Sequence, residues 1–259
     1  MSELIALTRE VSPAVVRSEL THIPRVAIDV AVARAQHAEY ERALASLGCS
    51  VRRLPAGPEM ADAVFVEDTA VVFDEIAIIT RPGAESRRAE IADVEETLKR
   101  HRLLGHIEAP GTIDGGDVLL SGRAVFVGAS SRTNRAGIEQ LRRLVEYFGY
   151  SLQAVDVRGC LHLKSAVTVL NDGTLLMNRE WVRPDAFGAL DIVDVHADEP
   201  RGANIVRVDD QLLYSAAFPR TWERLEHRGH RVVCVDISEI AKAEGAMTCC
   251  SLIFESQKT

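Results

Sequence analysis

A chain of 259 residues with 47% hydrophobic and 26% charged residues is long enough to bury a large core, and no tract is polar enough to stay unfolded. Its formal net charge of −8, with arginines interleaved among acids, argues against nucleic acid as a partner, because phosphate binding needs a basic stripe; a small cation suits the field better. No segment approaches the ~18 apolar residues of a membrane span.

The N-terminal MSELIALTREVSPAVVRSEL sets Glu3, Arg9, Glu10, Arg17 and Glu19 among its apolar residues, unlike a secretion signal. No membrane partner is expected, and the expected location is cytoplasmic. Asp29 to Gly48 then reads as an amphipathic helix. From Val64 onward a short apolar element recurs: VFVEDTAVVF, GTIDGGDVLL from Gly111, CLHLKSAVTVL from Cys160, ANIVRVDDQLLY from Ala203 and MTCCSLIF from Met247. The spacing of roughly 45 residues suggests a repeat architecture, and each copy reads as a strand or strand pair. Helical patterns intervene at Glu85 to His101, at TNRAGIEQLRRLVEYFGY with Ile138, Leu141, Leu144 and Val145 on one face, and at Phe218 to Gly229. Such units cannot bury their apolar faces alone, which points to one closed domain over residues 1–259. A doubly wound α/β sheet produces a similar alternation, and periodicity does not choose between them.

Polar residues inside apolar elements are costly unless they serve a purpose. Glu67 and Asp68, Asp114 and Asp117, and His162 and Lys164 all fall there, and the last copy carries Cys249 and Cys250. Stacked around an axis, equivalent strand ends would bring carboxylates, an imidazole and a thiol to one pocket. Carboxylates hold a guanidinium, a thiolate attacks its planar carbon and an imidazole protonates the leaving amine. Plainer roles exist as well: caps for Glu67 and Asp68, a turn for Asp117, core positions for His162 and the cysteines. Adjacent strand residues face opposite sides, so one of Cys249 and Cys250 would face the pocket; the residues alone do not say which. The remaining cysteines, Cys49, Cys160 and Cys234, make an odd set without metal spacing, expected as free thiols. No metal or nucleotide site is expected.

In order, IDVAVARAQHAEY, DAVFVEDTAVV, ITRPGAESRR, DGGDVL, VGASSRTN, LHLKS, AN-I and TCCSL resemble the dimethylarginine dimethylaminohydrolases of the guanidino-modifying superfamily almost end to end. The resemblance implies a five-bladed pseudo-symmetric α/β propeller (pentein) of ββαβ units. It makes Cys249 the nucleophile, His162 the proton donor and Asp114 the acid orienting the histidine. It places substrate contacts at Asp62, Glu67 and Asp68 for the ammonium and guanidinium groups, at Arg87 and Arg132 for the α-carboxylate, at Leu20 on a mobile lid loop, and at the carbonyl of Ala243. The implied ligand is a methylated arginine, the implied cofactor none, and a homodimer is compatible with the family. Arginine or agmatine deimination on the same machinery is the nearest rival, although arginine deiminases carry an inserted helical domain and agmatine lacks a carboxylate. A non-catalytic propeller that binds a partner is the rival of another class.

Overall fold

The recurring segments supply the innermost strand of each sheet. In the computed structural model, which describes residues 3–257, fifteen strands form five three-stranded sheets. The first sheet holds β1 (Leu4–Arg9) and β2 (Ser50–Leu54). The second holds β3 (Ala70–Val72), β4 (Ile76–Ile79) and β5 (Leu103–His106). The third holds β6 (Val118–Ser121), β7 (Ala124–Ala129) and β8 (Ser151–Asp156). The fourth holds β9 (Val167–Val169), β10 (Leu175–Met177) and β11 (Ile192–Asp194). The fifth holds β12 (Val206–Val208), β13 (Gln211–Ser215) and β14 (Arg231–Val235). Finally β15 (Leu252–Glu255) pairs antiparallel with β1, so the first sheet is completed by the other end of the chain.

In each sheet an inner strand pairs antiparallel with the middle strand, which pairs parallel with the outer one. Parallel neighbours need a crossover, and the helices marked by the sequence provide it. They are α1 (Val30–Ser46), a 3-10 turn at Glu85–Glu90 leading into α2 (Ile91–Leu98), α3 (Arg135–Glu146) and α5 (Pro219–His227). The fourth crossover has only a 3-10 turn, Pro184–Phe187. Two four-residue helices, α4 (Leu163–Ala166) and α6 (Ser238–Ala241), lie outside the crossover pattern. Asp29 starts α1 by accepting from Ala31 N and Val32 N, and Asn134 caps α3 through Gly137 N, the usual remedy for unpaired amides at a helix start.

The middle strands are apolar at most positions because both faces are covered. Their side chains alternate, and each face feeds a different cluster. Ile76 and Ile78 of β4 pack with the third unit, whereas Ala77 and Ile79 pack with the first. Likewise Leu175 and Met177 of β10 face the third unit and Leu176 faces the fifth. β13 divides Leu212 and Tyr214 from Leu213 in the same way. Each apolar cluster therefore joins two neighbouring units, and no unit has a core of its own. Truncating a fully buried member such as Ile78 would cost about 2–5 kcal/mol. This cyclic arrangement, unlike a doubly wound sheet, leaves a space on the axis. A cavity of about 270 Å³ there is lined by residues of all five inner strands, including Val72, Leu119, Val169, Val206 and Leu252.

Candidate active site

The polar residues singled out in the sequence mostly lie on short turns that precede the inner strands, rather than within strands. Val66–Thr69, Gly115–Asp117 and Thr248–Cys250 are 3-10 turns, and α4 opens directly after His162. The three turns and α4 pack against one another at one end of the axis. The strand alternation expected for Cys249 and Cys250 is therefore replaced by turn geometry. Cys250 is fully buried, its Sγ 3.7 Å from the Ala246 carbonyl, while the half-buried Cys249 faces a pocket.

That pocket is lined by Asp62, Asp68, Arg87, Arg132, His162, Ala243 and Cys249, together with Glu19, Phe65, Leu161, Glu244 and Gly245. His162 is buried, with Nε2 3.1 Å from Asp114 Oδ2 and Nδ1 3.8 Å from Asp68 Oδ1. Gly116 makes this approach possible: a Cβ there would stand 2.7 Å from His162 Nδ1 and 2.8 Å from Asp68 Oδ1. Asp114 is held in turn, its Oδ1 accepting from Gly83 N at 2.8 Å.

Burial alone would strip the proton from His162, but Asp68 and the hydrogen bond to Asp114 outweigh it and raise the imidazole to about 9. Asp68 is affected in the opposite sense. Burial works against its charge, yet His162 and Arg87 hold it ionised down to about 2. The Cys249 thiol is pushed well above its ordinary value by burial and by the charges of Glu67 and Asp68, although Ala246 N donates to its Sγ at 3.4 Å. At neutral pH the site thus holds an imidazolium and a protonated thiol.

Arg87 is almost fully committed. Its Nη1 donates to Asp68 Oδ2 at 2.5 Å, its Nε and Nη2 donate to Glu90, and Nη2 also reaches the carbonyls of Asp62 and Phe65. Burial pushes Glu90 up to about 7 despite this pairing. Arg132 is freer, with Nη2 3.3 Å from Thr21 Oγ1. Asp62, raised by burial, accepts from Glu19 N at 3.1 Å.

Two expected contacts lie elsewhere. Glu67 points toward the axial cavity, its Oε1 2.5 Å from Lys164 Nζ and its Oε2 accepting from Thr248 Oγ1 at 2.7 Å. Its turn aims successive side chains to different sides, so Asp68 enters the pocket and Glu67 faces the axial cavity. Leu20 is half-buried in the segment over the mouth but does not line the pocket. Glu244, which sequence reasoning missed, fixes that segment: its carboxylate accepts from Thr21 N at 2.6 Å and His22 N at 2.9 Å. The remaining space, about 20 Å³, admits roughly one water.

Asp68, Asp114 and His162 also offer ligand atoms within 4.8 Å of one another, the cluster with metal-binding spacing among the described residues. Arg87 and the imidazolium already supply positive charge there. A metal would have to displace one of them.

A family model for N,N dimethylarginine dimethylhydrolase, eukaryotic, matches residues 24–183. The chain is 42% identical to the N(G),N(G)-dimethylarginine dimethylaminohydrolase of Streptomyces coelicolor over 95% of both chains. It is 38% identical to the Pseudomonas aeruginosa enzyme of the same name, over 87% of this chain and 90% of that one. A solved dimethylarginine dimethylaminohydrolase from Pseudomonas aeruginosa, a cysteine-to-serine mutant complexed with citrulline, superposes with a TM-score of 0.92 at 36% identity, covering 98% of this chain and all of the other. The N-terminal domain of ArgZ, a cyanobacterial arginine dihydrolase, shares the fold at 16% identity with a TM-score of 0.87 over 97% of each chain.

Fold and site together define an amidine hydrolase built on a five-bladed α/β propeller, or pentein. More narrowly, the chain belongs to the dimethylarginine dimethylaminohydrolase family.

Proposed function

We propose that this enzyme hydrolyses Nω,Nω-dimethyl-L-arginine, and also the monomethyl compound, to L-citrulline and the corresponding methylamine. The observation that carries the reading is the enclosure of a thiol, an imidazolium paired with Asp114, and the ionised Asp68 in one pocket. The guanidinium binds against Asp68, and its charge offsets the carboxylates that hold the Cys249 thiol protonated. The thiol then loses its proton to solvent water, since His162 is already protonated, and Sγ attacks the guanidinium carbon. His162 protonates dimethylamine as its C–N bond breaks, leaving a covalent thiouronium. The histidine, now neutral, takes a proton from water; the hydroxide adds to the same carbon and the C–S bond breaks. Citrulline and the thiol result, and the balance requires no cofactor.

Arg132 is the group best placed to receive the substrate's α-carboxylate, with Arg87 orienting Asp68 and offering at most a remaining N–H. Substrate exceeds the 20 Å³ available, so loading requires the segment around Leu20 to move away from Glu244. We assign Cys249, His162 and Asp114 to catalysis within a single domain. Five free thiols suit a reducing cytoplasm; among the described residues no helix is long and apolar enough to cross a membrane.

A citrulline-release assay with dimethylarginine, monomethylarginine, arginine and agmatine tests the reading. Release from the methylated substrates with kcat/KM above that for arginine and agmatine is expected. Activity confined to arginine or agmatine would overturn the substrate assignment, and no citrulline or carbamoyl product from any of them would overturn the reaction.

A further inference from the structure

Asp117 lies in the same turn as the two glycines before it, is 0% exposed, and has no part in the chemistry above. Its Oδ1 accepts from Leu163 N at 2.9 Å, the amide next to His162. Its Oδ2 accepts from Ser130 Oγ at 2.5 Å. Ser130 Oγ in turn accepts from Arg132 N at 3.0 Å and Thr133 N at 3.2 Å, and Thr133 Oγ1 accepts from Asp114 N at 3.2 Å. One carboxylate thus touches the backbone beside the proton donor and, through one hydroxyl, the loop that carries Arg132 and steadies Asp114. The neighbouring strand leaves room for it, because a Cβ on Gly128 would stand 2.6 Å from Asp117 Oδ1.

We propose that Asp117 is a positioning residue whose carboxylate sets the distance between the His162–Asp114 pair and Arg132, through Leu163 N on one side and Ser130 Oγ on the other. This rests on the reading that His162 donates a proton and Arg132 receives a carboxylate. The two groups act on opposite ends of one substrate, so a shift of either misaligns the guanidinium carbon. A buried carboxylate that only satisfied stray amides would have no such effect.

The test compares Asp117→Asn, Ser130→Ala and Ser130→Thr with the parent, counting active sites by alkylation of Cys249. Asparagine keeps one oxygen, but its amide group must face Leu163 N–H or displace the Ser130 hydroxyl proton. Asp117→Asn is expected to lower kcat per active site about 100-fold, the usual consequence of an ångström-scale misplacement. Ser130→Ala cuts the branch through the Arg132–Thr133 loop and spares the bond to Leu163 N; KM is expected to rise about tenfold, the loss of roughly one charge-assisted bond, with kcat falling less than in Asp117→Asn. Ser130→Thr restores the hydroxyl and the parent KM. Lowered Tm and fewer titratable sites, with kcat per site and KM unchanged, would overturn the proposal. Side-chain NMR resonances of His162 and Arg132 are read in parallel: they should move in the variants, and unmoved resonances also overturn it. Should Asp117→Asn fail to fold, the Ser130 pair decides. Should the parent itself release no citrulline, the functional reading fails while the resonances still judge the positioning.

Discussion

Asp114 Oδ2 lies 3.1 Å from His162 Nε2, and this pairing, with Asp68 on the other ring nitrogen, keeps the imidazole charged to about pH 9 against the effect of burial. A folded-state value raised above 6.5 means that the charge stabilises the fold fully below the unfolded value, and that this contribution is lost as pH rises through about 9. The proton available to the leaving amine is lost over the same range. We expect kcat to fall on the alkaline side near pH 9, and Asp114→Asn to move that limb to lower pH while lowering kcat about 100-fold. A pH–rate profile of both proteins, with thermal unfolding at each pH, checks this.

Cys249→Ser should abolish turnover and leave citrulline binding largely intact, because the oxygen nucleophile is far less acidic than the thiol. Cys250→Ser should remain active but less stable by about 1 kcal/mol, since it places a hydroxyl in an apolar site with Ala246 O as an acceptor. If Cys250→Ser alone were inactive, the nucleophile assignment would be wrong. Citrulline release and calorimetry of the two variants decide it.

Glu67→Gln removes the charge facing Lys164, whose side chain is only 17% exposed. A loss of about 2 kcal/mol is expected, below the range for a fully buried pair. The Glu67 charge also helps keep the Cys249 thiol protonated, so its removal should speed alkylation by iodoacetamide. KM should change less than about threefold, because the carboxylate does not line the pocket. A large rise in KM without faster alkylation would instead make Glu67 a direct substrate contact.

Glu244 has a φ of +62°, a conformation that glycine adopts without strain. Glu244→Gly therefore removes the two bonds to Thr21 N and His22 N without disturbing the loop. Faster hydrogen–deuterium exchange confined to residues near 20–22 is expected, with an increase in KM. Unchanged exchange would show that the segment is held by other contacts.

Arg132→Lys keeps a charge but loses the planar fork that matches a carboxylate. KM for dimethylarginine should rise about tenfold with kcat nearly unchanged, whereas binding of a guanidine without a carboxylate should be unaffected. Steady-state kinetics and competition with agmatine measure both.

The five units were legible because their inner strands recur as short apolar elements at roughly 45-residue spacing, but that spacing fits a doubly wound sheet as well, and the propeller came from the family resemblance. That carboxylates, an imidazole and a thiol would meet followed from the repeat register, whereas Cys249 over Cys250 followed only from the family resemblance. The directions of individual side chains followed from neither, because they depend on turn geometry: Glu67 and Asp68 are adjacent yet face the axial cavity and the pocket. The resemblance offered Arg87 as a carboxylate ligand, and nothing in the sequence showed that Glu90 would occupy its fork. Glu244 gave no signal in the sequence, since its role depends on a left-handed backbone and on a segment 223 residues away. Asp117 did carry a signal, an acid after two glycines inside an apolar element, but turn chemistry explained it equally well.

The strand that follows Cys249 directly, β15, is the one that completes the first sheet against β1. During synthesis Cys249 and the closing strand consequently emerge together, after the second to fifth sheets. Until then the Cys249 thiol keeps its ordinary pKa, and assembly of the site is what pushes it up. The pocket is completed in the same event that closes the ring, so loss of β15 pairing should abolish citrulline release even where the other four sheets persist.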